Sequence, residues 1–316
     1  VSYPSDTLYP LVLKYRKAEK QLGYVGVYEP LEGKWSGGMP VGKDGRVHTT
    51  ISRNPSTLRF TSIAPNLQTQ PRDGAIRSLF IADPGYTLWE ADYSAIEARL
   101  VAYFARSPVY DRLARLGVHD YLNAQILRQR GMISDEVTLE TQSDAELKRF
   151  FKELKAKFNE MREVAKRVVH GSNYGMGPRE MYRNYPDVFD SEKTATALQR
   201  IYLEACPMIP RWQEETVTRA EEEAELRNPF AYLHRFWNVC EYSQMPDGEW
   251  KRKWGLDAKR ALAFMPQGTA AGVIKEAMLS LEAELGMTTR GWLLLQVHDS
   301  LLFRLPSAEV DEWGAK

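Results

Sequence analysis

A long helical run set between separated strand signals is the feature that most limits how this chain can fold. The clearest strand pattern lies near the C-terminus. There Trp292–Val297 and 301–305 are apolar runs on either side of His298-Asp299-Ser300, which predicts a β-hairpin with an aspartate at its tip. A second strand candidate, 87–91, follows the Pro84-Gly85 turn and ends at Asp92, and a third reads at 46–51. From about 107 to 225 the pattern is mostly helical. The spacing of Phe150, Phe151, Leu154, Phe158 and Met161 marks one apolar face there. Further helices are predicted near the N-terminus (Leu8, Leu11, Val12, Tyr15 and Leu22, ending near Gly23), from Ile96 through Phe104, and over 268–285 with Gly286 as its stop. The fold class expected is α+β, an antiparallel sheet bearing Asp92 and Asp299 with a helical subdomain from 107 to 245.

Composition narrows the function classes. With 316 residues, 43% hydrophobic and 27% charged, the chain has the make-up of an ordinary globular protein, able to bury about 75% of its unfolded surface. No apolar stretch approaches the roughly 18 residues of a membrane helix, and the N-terminal residues show no signal-peptide pattern. Cys206 and Cys240 cannot by themselves form a disulfide framework or a four-ligand zinc site, which suits a reducing compartment. The 42 Lys and Arg balance 42 Asp and Glu, so any nucleic-acid role rests on local basic patches. Segment 146–183 is such a patch, with ten Lys or Arg against five Glu, whereas 214–225 carries six Glu and one Arg and reads as a solvated helix face.

Three places could carry chemistry. Asp92 ends a strand just before a helix, so it is either a helix cap or a functional carboxylate. Arg162, Lys166, His170 and Tyr174 recur every fourth residue and form one helical stripe, with no Glu at i+4 for either cation. The cations stand roughly 6 Å apart along the axis, which suits a polyphosphate, and the rings could stack on a base; a surface helix with snorkelling cations is the plainer reading. Asp299 sits at the hairpin tip, where aspartate also serves ordinary turn geometry. Two carboxylates on neighbouring strands would make a magnesium site.

In order and composition these segments resemble the polymerase domain of family A DNA polymerases, the DNA polymerase I type, from about Leu8 to Leu305. Asp92-Tyr93-Ser94-x-Ile96-Glu97-x-Arg99 is similar to motif A, Arg162-x3-Lys166-x7-Tyr174-Gly175 to motif B on the O helix, and Gln296-Val297-His298-Asp299 to motif C. Supporting matches are Asp44-Gly45-Arg46-Val47-His48, Arg59-x-Thr61-Ser62 with Pro65-Asn66-Leu67-Gln68, Val118-His119, and Gln267-Gly268-Thr269-Ala270-Ala271. The resemblance implies a polymerase right-hand fold, with palm at 1–106 and 246–316, fingers at 107–245, and the thumb largely absent from this chain.

It also implies an activity, template-directed addition of dNTPs to a primer 3′-hydroxyl in DNA replication or repair. Asp92, Asp299 and the Tyr93 carbonyl would hold two Mg²⁺, with Mn²⁺ as a substitute, about 3.5–4 Å apart. His119, Arg162, Lys166, His170, Tyr174 and Glu97 would bind the dNTP, Glu97 as the steric gate against ribose. Arg59, Asn66, Gln68, Gln267 and His298 would contact primer–template DNA. The implied partners are primer–template DNA, dNTPs and further domains or a processivity partner, without a membrane. The implied setting is the cytoplasm of a bacterial cell or phage-infected host, with an organelle left open.

The chain departs from the family pattern at four points. Ser300 follows Asp299 where the family usually has Glu, Ala95 stands for Gln, and His170 stands for Phe or Tyr. The spacing from motif A to motif B is also long, the surplus expected between 133 and 157. A fragment of a longer polypeptide, or a protein that borrows its DNA grip, is expected. Against the alternatives, Glu97 disfavours ribonucleotide use, a metal nuclease leaves the Arg162/Lys166 stripe unexplained, and a lapsed polymerase would not need to keep both carboxylates and both cations.

Overall fold

The computed structural model describes residues 8–29, 34–53, 58–71, 74–134, 139, 141–288 and 292–314. The chain opens with α1 (Leu8–Val25) and two short antiparallel pairs, β1 (Val27–Glu29) with β2 (Lys34–Ser36) and β3 (Thr50–Ser52) with β4 (Thr61–Ile63). Strand β5 (Tyr86–Asp92) leads into α2 (Ile96–Phe104), α3 (Pro108–Leu116), α4 (Val118–Gln129), α5 (Asp144–Lys157) and α6 (Asn159–Asn173). Then come α7 (Pro178–Asn184), α8 (Glu192–Ala205) and α9 (Met208–Glu223). Two hairpins, β6 (Glu225–Arg227) with β7 (Leu233–Arg235) and β8 (Cys240–Gln244) with β9 (Trp250–Trp254), precede α10 (Leu256–Thr288). The chain closes with β10 (Trp292–Val297), β11 (Ser300–Pro306) and α11 (Val310–Gly314). No described helix is long and apolar enough to cross a membrane.

Two units result, one from 94–270 and the other from residues up to 93 and from 271 onward. Their borders differ from the 106/107 and 245/246 expected from sequence, because α2 packs on α3 and α10 begins among the helices of the first unit.

The second unit is organised by a three-stranded antiparallel sheet with β11 at its centre, between β10 and β5. Leu301, Phe303 and Leu305 alternate along β11 and bury one face against Ile274 and Met278 of α10, Trp89 of β5 and Trp313 of α11. The opposite face of β11 carries Ser300 and Arg304, both buried. The Arg304 guanidinium lies between the Tyr86 and Trp292 rings, 4.4 and 4.1 Å from their centroids, and pairs with Asp83. A charge can stay there because both its π contacts and its carboxylate are supplied.

Two expected elements differ. The strand expected at 46–51 is confined to the Val41–Val47 bridge and to β3, since 42–46 is a turn closed by the Gly42 amide on the Arg46 carbonyl, 2.7 Å. Helix α10 starts well before 268 and continues past Gly286. Pro266 lies inside it and costs one amide donor, but Ala258, Ala261, Leu262, Phe264 and Met265 are buried around it, so packing carries the helix through.

In the helical unit, α5 starts with a full capping box of Ser143 and Glu146, and Phe158 breaks the chain between α5 and α6. Leu147, Phe151 and Leu154 pack with Leu116, Ala124 and Leu127, while Phe150, Phe158 and Met161 cover the cluster. The end of α6 is anchored from within. Asn173 Nδ2 donates to the Tyr110 hydroxyl at 2.9 Å, and the Tyr202 hydroxyl donates to Asn173 Oδ1 at 2.5 Å. Gln213 Nε2 donates to the Ser172 and Asn173 carbonyls at 2.5 and 2.9 Å. Burial pushes the Tyr110 phenol up to about 12.

Because Tyr202 is fully buried, Tyr202→Phe should leave Asn173 Oδ1 without its donor and lower stability by about 1–3 kcal/mol. Urea unfolding measures this, and an unchanged midpoint would mean that the network is not stabilising.

Candidate active site

The sheet places the two predicted carboxylates at the same end of adjacent strands. Asp92 is the last residue of β5 and is paired with Ser300, the first of β11; Asp299 immediately precedes Ser300 in the turn. The Tyr93 amide donates to the Asp299 carbonyl at 3.2 Å, so the β5–β11 pairing continues into the turn itself. Asp92 is exposed and Asp299 half-buried. His298 holds the tip in the left-handed region at φ 56°, a conformation that costs a non-glycine residue about 1–3 kcal/mol.

That strain is held from behind. Gln296 Nε2 donates to the His298 carbonyl, and Gln68 Nε2 donates to the Gln296 carbonyl at 2.9 Å. The Gln68 side-chain oxygen in turn accepts from the Ser62 amide at 3.1 Å. Gln68 is therefore a buried strut under the hairpin, with its amide committed to protein partners. Asn66 is exposed and caps this turn by accepting from the Gln68 amide at 2.9 Å. Arg59 is half-buried just before β4, and His298 is exposed.

The side chains that the sheet brings to these strand ends are oxygen donors, the carboxylates of Asp92 and Asp299. Among the described residues no group of three or more His, Cys, Asp or Glu is placed to hold a metal. Two carboxylates that leave the remaining positions to water and phosphate oxygens match the way Mg²⁺ is held.

The helical unit brings together the other predicted residues. Arg162, Lys166 and His170 lie along α6, with Tyr174 capping its end. The His170 and Tyr174 rings meet edge to face, centroids 5.1 Å apart. The Tyr174 hydroxyl donates to Glu97 Oε2 at 2.6 Å, which fixes the expected sugar gate on α2 against the expected stacking ring. Gly175 follows at φ 72°, where a Cβ would also come within 2.8 Å of the Trp254 ring. Both conformation and space demand glycine there. Gln267 is half-buried on α10 in the same unit.

The cations have carboxylate partners that the stripe alone did not reveal. Asp120 of α4 holds Arg162, its oxygens 2.5 and 3.3 Å from Nε and Nη2. Glu163 stands 3.7 Å from Arg162 and 3.9 Å from Lys166, an i,i+3 neighbour in place of the i+4 partner that is missing. Lys166 is about half exposed, whereas the Arg162 side chain is only 19% exposed. Asp120 was legible only as the residue after His119, since no helical spacing connects α4 to α6.

His119 is the electrostatic centre of this group. Burial first, then the positive charge of Arg162, with lesser contributions from Lys166 and His170, depresses its imidazole to about 4, against a partial pull upward from Asp120. Arg162, Lys166 and His170 thus place positive charge around a half-buried ring, with Asp120 opposing them.

His119 is accordingly neutral near pH 7. Its folded pKa lies below the unfolded value of about 6.5, so the folded state binds fewer protons between about 4 and 6.5. The stability it contributes is complete above about 6.5 and lost as pH falls towards about 4. NMR titration should place His119 near 4, and His119→Gln should flatten the acid loss of stability in that window. A His119 titration near 6.5 would contradict this electrostatic environment.

Residues 3–316 match the profile of DNA polymerase family A. The chain is 30% identical over 316 residues to DNA polymerase I of Deinococcus radiodurans, covering 97% of this chain and 28% of that protein. It is 28% identical to the chloroplastic/mitochondrial DNA polymerase I A of Arabidopsis thaliana, covering 85% of this chain and 26% of that one. Among solved structures, the POL domain of Pol1 from M. smegmatis, in complex with DNA primer-template and dNTP, shares the fold at a TM-score of 0.67 and 24% identity. That alignment covers 87% of this chain and 44% of the other. The chain thus spans about a quarter of the length of these two curated relatives. A profile match from residue 3 to residue 316 leaves almost none of the sequence outside it, and the chain belongs to DNA polymerase family A.

Proposed function

We propose that this chain carries the nucleotidyl-transfer centre of a template-directed DNA polymerase, adding dNTPs to a primer 3′-hydroxyl. The observation that carries the reading is the placement of Asp92 and Asp299 at one end of adjacent antiparallel strands, tied by the Tyr93–Asp299 backbone bond. Family A DNA polymerases are metal-dependent. Bound at this pair, two divalent ions, Mg²⁺ or Mn²⁺, would supply activation of the attacking hydroxyl and neutralisation of phosphate charge.

The chain's own residues do the rest. Asp92 and Asp299 bind and fix the ions, with Tyr93 contributing its carbonyl. Lys166, half exposed and held only loosely by Glu163, offers its ammonium to the triphosphate. Arg162 enters the same role by exchanging part of its contact with Asp120 for a phosphate oxygen, and neutral His119 donates from its ring or gains a proton beside the anion. Glu97, held by Tyr174, stands as the bulk that excludes a ribose 2′-hydroxyl, and His170 faces the nucleotide with a polar N–H. Arg59, Gln267, His298 and exposed Asn66 contact the primer–template. Gln68 serves that surface indirectly by bracing the hairpin.

In this reading 94–270 is the fingers and the remainder the palm. Further domains or a processivity partner would add to the DNA grip. Primer-template DNA and dNTP are the ligands in the M. smegmatis Pol1 complex, which supports them as partners here.

Two outcomes test the proposal. Asp92→Ala and Asp299→Ala should each abolish primer extension while leaving primer–template binding within a few-fold of wild type. Near-normal turnover in either variant would refute the assignment. Glu97→Gly should raise the rNTP/dNTP ratio of kcat/KM substantially, because the bulk beneath C2′ is removed. An unchanged ratio would exclude Glu97 as the gate.

A further inference from the structure

The residue after Asp299 is a serine whose hydroxyl is committed to a carboxylate of the neighbouring strand. Ser300 lies opposite Asp92 in the β5–β11 pairing, and residues directly opposite point to the same face of a sheet. Glu90, two residues before Asp92 on β5, shares that face. Its Oε1 lies 2.6 Å from the Ser300 hydroxyl. The Val297 carbonyl is a second acceptor at 3.0 Å, but the hydroxyl has one proton, and the shorter, charged bond takes it.

Burial sharpens the contact. Ser300 is only 4% exposed, so this hydroxyl is screened from bulk water, while the Glu90 side chain remains 44% exposed. Facing Glu90 from outside the sheet is Arg77, whose Nη1 stands 3.9 Å from the other carboxylate oxygen, too far for a hydrogen bond. The stronger commitment of Glu90 is therefore to Ser300. A hydroxyl that gives its proton to a carboxylate keeps its lone pairs free and becomes a better oxygen donor, in the way that outer partners raise the basicity of metal ligands.

We propose that Glu90, acting through the Ser300 hydroxyl, supplies the third acidic charge of the divalent-ion site, the part that a glutamate beside Asp299 would otherwise play. Glu90 is a positioning residue, since no three acidic groups among the described residues are placed to share one metal. The charge has been moved across the strand pair, from β11 to β5, and reaches the site through one hydrogen bond. The inference rests on the reading of Asp92 and Asp299 as ion ligands.

Mn²⁺ binding, measured by electron paramagnetic resonance on the full chain with primer–template and no dNTP, gives a readout independent of turnover. Glu90→Gln should weaken Mn²⁺ about tenfold at unchanged Tm. Glu90→Gln combined with Ser300→Glu should restore affinity to within a few-fold, because the carboxylate returns on β11. Arg77→Gln should leave affinity unchanged or tighten it, since a competing cation is removed. Wild-type Mn²⁺ affinity in Glu90→Gln, alongside lost binding in Asp92→Ala, would overturn the role of Glu90 alone. Equal weakening by Arg77→Gln would overturn it too, by showing that the surface ion pair is what matters. Wild-type affinity in Asp92→Ala would overturn the ion site itself.

Discussion

The pairing of β5 with β11 joins segments about 200 residues apart, and its register decides the chemistry that the sheet can present. A slip of one residue would turn Leu301, Phe303 and Leu305 from the α10 side to the opposite face. It would also take Ser300 away from Glu90 and the Asp299 carbonyl away from Tyr93. The apolar alternation of β11 thus does two things with one pattern. It selects the buried face, and by doing so it delivers the acidic turn beside Asp92. Gln68 and Gln296 then hold that turn in a conformation that His298 would not adopt by itself.

In the helical unit the governing feature is charge balance around a half-buried imidazole. Arg162 is not poised in solvent; it is already paired with Asp120, and Glu163 sits between it and Lys166. The pairs orient the cations without cancelling them: after burial, the charge of Arg162 is the next cause that keeps the His119 imidazole low. An incoming anion would therefore meet prealigned donors and need only displace part of two carboxylate contacts. Little side-chain entropy remains to be lost at that moment.

Much of this was legible in the residues, and the misses have physical causes. β5, β10 and β11 showed themselves because apolar strands bounded by turn residues have few other readings. The α6 stripe was visible because four-residue spacing survives any tertiary context. Its carboxylate partner Asp120 was not, since pairing between helices leaves no period in the chain. Gln68 was expected to contact primer–template DNA, and only the fold shows its amide closed between Ser62 and Gln296. The last long helix was expected only over 268–285 with Gly286 as its stop, yet α10 runs from Leu256 to Thr288, because burial of apolar residues around Pro266 outweighs local propensity. The substitution of Ser300 for the usual glutamate stood out at once, but its meaning depended on a neighbour from another strand.

The cage around Arg304 has a consequence for which sequences can replace this one. A guanidinium is flat, can lie against two rings at once, and still directs an edge towards Asp83. An ammonium has no plane and a tighter hydration shell, so lysine would have to shed more water for weaker contacts with Tyr86 and Trp292. Position 304 is therefore one where exchange of one basic residue for another is not conservative. Drift at Tyr86, Trp292 and Asp83 is constrained along with it. Relatives that lose the arginine should have rebuilt the whole face, with an apolar side chain between the rings and no acid at position 83.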